Sequence, residues 1–334
     1  MIRTAVIGLG KMGLSHTAIL GAHKDVELVA VCDSSRLVLN AFKHYNNNIN
    51  TYDNYRILLE NERLDAVIIA TPTKFHFEMA KDAIEKGVNV FCEKPFSLTL
   101  DEGIRLVELV SEFKVINQVG YHNHFLGTFV ELKRLIQKRI LGELFHFTGE
   151  AYGPVITKPK GGNWRAKPSE GGGCLYDYAS HVINLIQEII GNTTRCEGKL
   201  LKKYYSKDVE DAVYSLLILD NGLSGVLSVN WSDETYRKMS TTLTIQGEGG
   251  KIICDATELK IYLKEDHLDE KLSKGWTIKY ITDLTQPVDF YLRGEEYSAQ
   301  IDYFIHNIKN KQLGQINTFE QALNTDRTIE LIKS

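Results

Sequence analysis

The chain is poor in everything that marks a stapled, nucleic-acid-binding or membrane protein. Its 334 residues include only five cysteines, Cys32, Cys92, Cys174, Cys196 and Cys254. They are widely spread, form no CxxC pair and have no histidine at zinc-ligand spacing. That excludes a disulfide framework and predicts a reduced, cytoplasmic protein. Cationic excess is also missing: 39 Lys+Arg stand against 43 Asp+Glu, a net charge of −4, so neither nucleic acid nor a membrane surface is an expected partner. No apolar run approaches the ~20 residues of a membrane span. Met1-Ile2-Arg3 leads straight into an apolar segment without a basic n-region or cleavage site, so no leader is expected. The sequons at Asn192 and Asn230 then read as chance. Internal repeats and low-complexity tracts are absent too.

The composition itself is globular, with 43% hydrophobic and 25% charged residues, and the length suits about two domains. In the first third, the runs at 4–7, 28–31, 66–70, 88–91 and 115–116 are almost continuously apolar, as strands buried on both faces of a parallel sheet would be. Helical spacing fills the gaps. Phe77, Ala80 and Ile84 lead to a C-cap at Gly87, and Thr99 with Glu102 opens a helix expected to turn Ile104 and Val107 inward. Such alternation predicts a doubly wound α/β domain.

Beyond about residue 120 the pattern changes. Leu223, Gly225, Leu227, Val229 and Trp231 alternate with polar residues and follow the run 216–219 across Asp220-Asn221-Gly222, which suits a type I′ hairpin. Strands at 243–245, 251–254 and 259–263 continue this antiparallel sheet, with a turn at Gly249-Gly250. Tyr297, Ile301, Phe304, Ile305 and Ile308 form a helical stripe, and Thr318 caps a last helix. The domains expected are 1–121 and 122–334.

Gly8-Leu9-Gly10-Lys11-Met12-Gly13 follows the first strand and opens a helix carrying Leu14, Ala18 and Ala22. In that setting the glycines allow a tight turn, approach of a pyrophosphate to the backbone, and helix-on-strand packing, while the helix N-terminus favours the anion. Asp33, about 20 residues further on, suits the adenosine ribose hydroxyls and favours NAD, with a helix cap as its competing role. Arg36 lies near enough to admit the 2′-phosphate of NADP.

These features, with Asp65-Ala66-Val67-Ile68-Ile69-Ala70-Thr71-Pro72, His76, Glu93-Lys94-Pro95, and Gly171-Gly172-Gly173 before Asp177 and His181, resemble the Gfo/Idh/MocA oxidoreductases over nearly the whole chain. The resemblance implies a Rossmann domain joined to an α/β domain with a large, open, mostly antiparallel sheet. It also implies NAD(P)-dependent hydride transfer at a hydroxyl or keto carbon of a sugar, inositol or sugar nucleotide. Lys94, Asp177 and His181 match the family's catalytic set, and Thr71, Pro72, His76 and Glu93 its cofactor wall. Trp164-Arg165 resembles a pair near the substrate, although Trp164 as a packed loop aromatic explains that residue equally well.

The chemistry agrees with this assignment. Asp177 and His181 stand four apart in an expected helix over 175–190, so both project from one face, although a local hydrogen bond accounts for such a pair as well. His181 suits a general base or acid, Lys94 stabilisation of alkoxide or proton relay, and Asp177 orientation.

Two departures stand out. The segment Val119-Gly120-Tyr121-His122-Asn123-His124-Phe125 has His124 where relatives often carry a basic residue, and Asn184 stands where aspartate is frequent. Both leave the substrate open, and His122 and His124 are candidate substrate contacts. If extended, the segment puts both histidines on one side, where a metal site with His181 is the minor alternative to a polar pocket; no metal is expected. The substrate loops fall at 152–165 and 276–291. Two other functions remain: a dinucleotide-binding sensor and an NAD-assisted glycosidase. A sheet covered by helices on one face only predicts a homo-oligomer, dimer or tetramer, built sheet to sheet.

Overall fold

The apolar runs of the first third are strands of one parallel sheet. In this computed structural model, which describes residues 1–158, 164–288, 291–292 and 294–334, β1 (Ile2–Ile7), α1 (Lys11–Ala22), β2 (Val26–Cys32), α2 (Arg36–Tyr45), β3 (Asn50–Tyr52), α3 (Tyr55–Asn61), β4 (Ala66–Ile69), α4 (His76–Ile84), β5 (Asn89–Cys92), α5 (Leu100–Phe113) and β6 (Asn117–Val119) follow in turn. The strand order is β3-β2-β1-β4-β5-β6, the doubly wound arrangement whose direction reverses beside β1. Neighbouring residues enter opposite cores: Ala5, Ile7, Val67 and Ile69 go to one, and Val6, Ile68 and Phe91 to the other. Burial on both faces is why these strands read as unbroken apolar runs.

One helix face differs in part from expectation. In α5 the Thr99–Glu102 capping box forms, but Gly103, Leu106 and Leu109 face inward and Ile104 is 40% exposed. A glycine at the closest approach carries no hydropathy signal, so the spacing misplaced Ile104, while Val107 packs half-buried against the core as expected. In α1, Leu14, Ala18 and Ala22 are exposed, whereas Gly13, His16, Thr17, Ile19 and Leu20 are buried. Strand β6 also begins at Asn117 rather than at Val115.

The second sheet collects strands from the rest of the chain. After α6 (Gly127–Gln137) come β7 (Leu144–Tyr152), α7 (Ser180–Ile189), β8 (Thr193–Lys202), β9 (Ala212–Leu219), β10 (Ser224–Asn230), β11 (Ser240–Gly247), β12 (Gly250–Cys254), β13 (Glu258–Leu263), β14 (Gly275–Tyr280) and α8 (Ile281–Leu284), and the chain closes with α9 (Glu295–Asn310) and α10 (Phe319–Lys333). The eight strands run β14-β13-β12-β11-β7-β10-β9-β8, antiparallel except for the β7–β10 pair. The buried residues Val182, Ile183 and Ile186 of α7 pack in one core with Phe147, Leu227, Leu243 and Ile261 of the sheet.

The hairpin between β9 and β10 is not type I′. Only Gly222 has a positive φ, and Leu219 donates to Leu223 O at 2.9 Å, so Asp220, Asn221 and Gly222 form a three-residue loop with glycine in the left-handed position. A type I′ turn needs positive φ at both central residues, and Asn221 does not supply it.

By packing, the chain divides into residues 1–122 with 287–323, and 123–286 with 324–334. A contiguous split at residue 121 therefore misplaces 287–323. Ile301, Phe304 and Ile305 of α9 complete the core beside Ile19 and Leu20 of α1, which ties that segment to the first unit.

Candidate active site

The phosphate end of the first unit is set by glycine packing. A Cβ on Gly13 would stand 1.7 Å from Gly8 O, while one on Gly10 would meet nothing within 4 Å. Gly8 and Gly13 must therefore pack directly on each other, and the backbone at Gly10 stays open to an approaching group. Gly10 is the N-cap of α1 and provides no side-chain cap, so the first-turn amides around Lys11 and Met12 keep their capacity for an anion.

Asp33 closes the turn from β2. Its Oδ2 accepts from Leu9 N at 2.8 Å and its Oδ1 from Ser35 N at 2.8 Å. The helix cap is Ser35, whose Oγ accepts from Val38 N, so the competing role falls two residues beyond Asp33. Each carboxylate oxygen retains a further lone pair for a ribose hydroxyl. Arg36, exposed, pairs with Asp53 at 3.3 Å. These residues fit a dinucleotide.

Thr71-Pro72 follows β4 and Glu93-Lys94 follows β5, at the same carboxyl edge of the sheet as Gly8 and Asp33. His76 is fully buried between them, with Nε2 2.9 Å from Thr71 O and Nδ1 2.9 Å from Pro95 O. It supports the wall from behind by tying two loops together. Burial lowers its pKa against the opposing pull of both carbonyls and of Glu93. The Lys94–Pro95 peptide is cis, and Lys94 itself is half-buried. Burial disfavours the Glu93 carboxylate, yet its bond to His16 and the charges of His16, Lys94 and His122 outweigh that and hold its pKa below the usual value.

His122 lies 4.7 Å from the Tyr297 ring centroid, and residues His122–Phe125 form a 3₁₀ turn rather than an extended segment. The shared side that the metal alternative required does not exist in a turn. Among the described residues no three His, Cys, Asp or Glu side chains converge as metal ligands, and no helix is long and apolar enough to cross a membrane.

In the second unit, Asp177 and His181 are both buried. The residues Leu175–Ala179 are a π turn, in which Ser180 N donates to Leu175 O, and α7 follows. An i→i+5 turn makes a four-residue step stop just short of one revolution, so the pair still shares a side of the helix. Arg165 Nε donates to Asp177 Oδ2 at 2.8 Å, and its guanidinium lies 4.5 Å from the Trp164 ring centroid. Trp164 is thus a stacking platform for Arg165. Glu210 accepts from Leu175 N at 2.8 Å at the start of this turn, and burial raises its pKa. His124 and Asn184, the two departures, meet: Nε2 to Oδ1 is 2.5 Å. Asn184 Nδ2 in turn donates to Thr325 Oγ1 at 3.2 Å. Parts of both expected substrate loops, 159–163 and 289–290, lie outside the described residues.

A family model described as an oxidoreductase family with an NAD-binding Rossmann fold matches residues 2–121, and the GFO/IDH/MocA C-terminal domain matches residues 129–253. The chain belongs to the Gfo/Idh/MocA family. This family member is 29% identical over 234 residues to the rhizopine catabolism protein MocA of Rhizobium meliloti, spanning 68% of this chain and 70% of that protein. It is 26% identical over 341 residues to the scyllo-inositol 2-dehydrogenase (NAD(+)) of Bacillus subtilis, spanning 97% of this chain and 91% of that enzyme. Among solved structures it is similar to levoglucosan dehydrogenase in complex with NADH, with a TM-score of 0.88 at 20% identity over 99% and 96% of the two chains. As a Gfo/Idh/MocA protein it is an NAD-dependent dehydrogenase or reductase with an NAD-binding Rossmann unit.

Sequence reasoning missed His16 and Glu210. Neither belongs to a motif, but His16 carried one signal: a polar residue three positions after Gly13, on the side of α1 that the glycine fixes against the sheet.

Proposed function

We propose that the protein transfers a hydride between nicotinamide and the hydroxyl or keto carbon of a sugar, inositol or sugar nucleotide. The observation that carries this is the placement of Gly8, Asp33, Thr71 and Lys94 along one carboxyl edge of the Rossmann sheet, where doubly wound folds take their ligands. When bound there, the nicotinamide accepts or donates the hydride. The Lys94 ammonium stabilises developing alkoxide charge or passes its proton on, His181 acts as general base or acid, and Asp177 orients substrate or base, held by Arg165. His122, His124, Trp164 and Arg165 are the proposed substrate contacts, and Gly8, Gly10, Lys11, Met12, Gly13, Asp33 and Arg36 the cofactor contacts.

The test is a cofactor-reduction screen over free sugars, inositols and nucleotide sugars. Net NADH from one of them supports the reading. Glycoside cleavage without net NADH, or tight NADH binding with no turnover, overturns it in favour of a glycosidase or a sensor. If Lys94→Ala and His181→Ala each keep near wild-type kcat while binding NADH, the mechanism is wrong.

Two further parts of the reading concern assembly and compartment. Leu216 and Val226 are exposed and paired on β9 and β10, whose flanking residues are buried, which supports a sheet-to-sheet homo-oligomer. A monomer at micromolar concentration refutes it. All five cysteines are free thiols, and burial raises those of Cys92, Cys174 and Cys254, in keeping with a reducing, cytoplasmic setting.

A further inference from the structure

We propose that Glu210 is a positioning residue for Asp177: its carboxylate and its carbonyl together anchor the entrance of the turn that carries Asp177. The inference rests on Asp177 having the role proposed above, but the anchoring itself needs no substrate.

The turn Leu175–Ala179 has no cap of its own. Cys174 precedes it in helical conformation and offers no side-chain cap. The first amides find their acceptors on another element instead. Cys174 N donates to Glu210 O at 3.0 Å, and Leu175 N donates to Glu210 Oε1 at 2.8 Å. Two successive donors that a helix start leaves without intrahelical partners are thus satisfied by one residue just before β9. A carboxylate is also the favourable charge at that end of a helix.

Gly173 carries the anchor across to the functional pair. Its φ of +111° lies in the region that favours glycine, and a Cβ there would collide with Glu210 Oε1. The carboxylate therefore packs directly on the bare Cα. On its other sides Gly173 is bonded to both partners of the Arg165–Asp177 ion pair. Its amide donates to Arg165 O at 3.1 Å, and its carbonyl accepts from Asp177 N at 3.0 Å. The side-chain bond between the two, 2.8 Å long, is closed into a ring by the backbone of Gly173. A shift of Gly173 moves both residues at once.

Glu210 is itself fixed by its neighbour. Asp211, fully buried, accepts from Trp231 Nε1 at 2.7 Å and from the amides of Tyr204, Tyr205 and Ser206 at 2.6, 2.8 and 2.9 Å. The anchor thus stands on a rigid strand entrance. Leu175 is buried, so removing the Glu210 acceptor leaves its N–H unsatisfied and loosens the entrance of the turn.

Hydrogen–deuterium exchange of the full-length enzyme, read by mass spectrometry, tests the anchor directly. Glu210→Leu is expected to speed exchange of the 174–175 amides by about tenfold or more, with α5 unchanged as a reference. Glu210→Gln keeps an acceptor and stays within about twofold of wild type. Glu210→Ala takes the place of the leucine variant if that one fails to fold. On a polyol that the screen above identifies, Glu210→Leu lowers kcat/KM by about tenfold or more with the NADH dissociation constant unchanged. In an Asp177→Asn background the same substitution costs less than about twofold, because Glu210 acts through Asp177; a merely structural role costs the same in both backgrounds. Equal exchange in wild type and Glu210→Leu, a Glu210→Gln variant as fast as Glu210→Leu, or an undiminished loss beside Asp177→Asn overturns the proposal. An exchange contrast without turnover on any polyol leaves the anchor standing and removes the substrate reading; turnover with equal exchange does the reverse.

Discussion

Arg165 Nε bonds the carboxylate of Asp177 at 2.8 Å, and the two side chains have 32% and 6% of their surface exposed. The guanidinium also rests on Trp164, so the arginine is held by its plane as well as its charge. A lysine reproduces the charge and neither the Nε geometry nor the stacking. Arg165→Lys and Arg165→Gln are therefore both expected to lower kcat/KM by about 30-fold or more with the NADH dissociation constant unchanged. A lysine variant within threefold of wild type would show that charge alone is used.

Gly13→Ala is expected to abolish NADH binding, with affinity falling about 100-fold or more, because the new Cβ collides with Gly8 O and displaces the turn that holds the helix N-terminus against the phosphates. Gly10→Ala meets no protein atom within 4 Å, so that variant folds normally and loses only cofactor affinity. Fluorescence titration with NADH and thermal unfolding of both variants separate the effects: Gly13→Ala loses stability as well, by about 1–3 kcal/mol.

Asp33 sets cofactor choice while bracing the turn. Wild type is expected to bind NADH more tightly than NADPH, since a carboxylate repels a 2′-phosphate. Asp33→Ala should weaken NADH by about tenfold and narrow the NADH/NADPH ratio. The Leu9 and Ser35 amides also lose their acceptor, so a modest fall in Tm accompanies the change. Tighter NADPH binding by wild type would reverse the assignment.

The sheet and the glycine turn were legible in the sequence because both are local: an apolar run, a Gly spacing and a carboxylate at a strand end each lie within a short stretch of chain. Partnerships across the fold were not. Nothing in the spacing links His16 to Glu93, 77 residues apart, or His124 to Asn184, 60 residues apart. The latter pair shows why two departures from the family pattern occur together, since each side chain is the other's hydrogen-bond partner. Helix α1 is a related case: its apolar residues Leu14, Ala18 and Ala22 face outward while a buried histidine faces in. Hydropathy does not register a polar side chain whose partner lies on another element.

His124 and His76 make stability depend on pH in a definite direction. Burial lowers the pKa of both below the ordinary 6.5; for His124 the nearby Lys133 adds to this, and Glu188 and Asn184 oppose it. On unfolding each returns to its ordinary value, so below about pH 6.5 the unfolded chain binds more protons than the folded one. Stability is then full above that pH and falls as the solution is made more acidic. Tm should drop between pH 7.5 and 5.5, before carboxylate titration contributes, and the drop should be smaller in His124→Gln, whose amide still donates to Asn184 but takes up no proton on unfolding. Thermal unfolding followed by circular dichroism at half-unit pH steps checks this. A Tm that is flat or rises toward pH 5.5 in wild type would mean that these histidines are charged in the folded protein, with His76 donating to Thr71 O and Pro95 O at once.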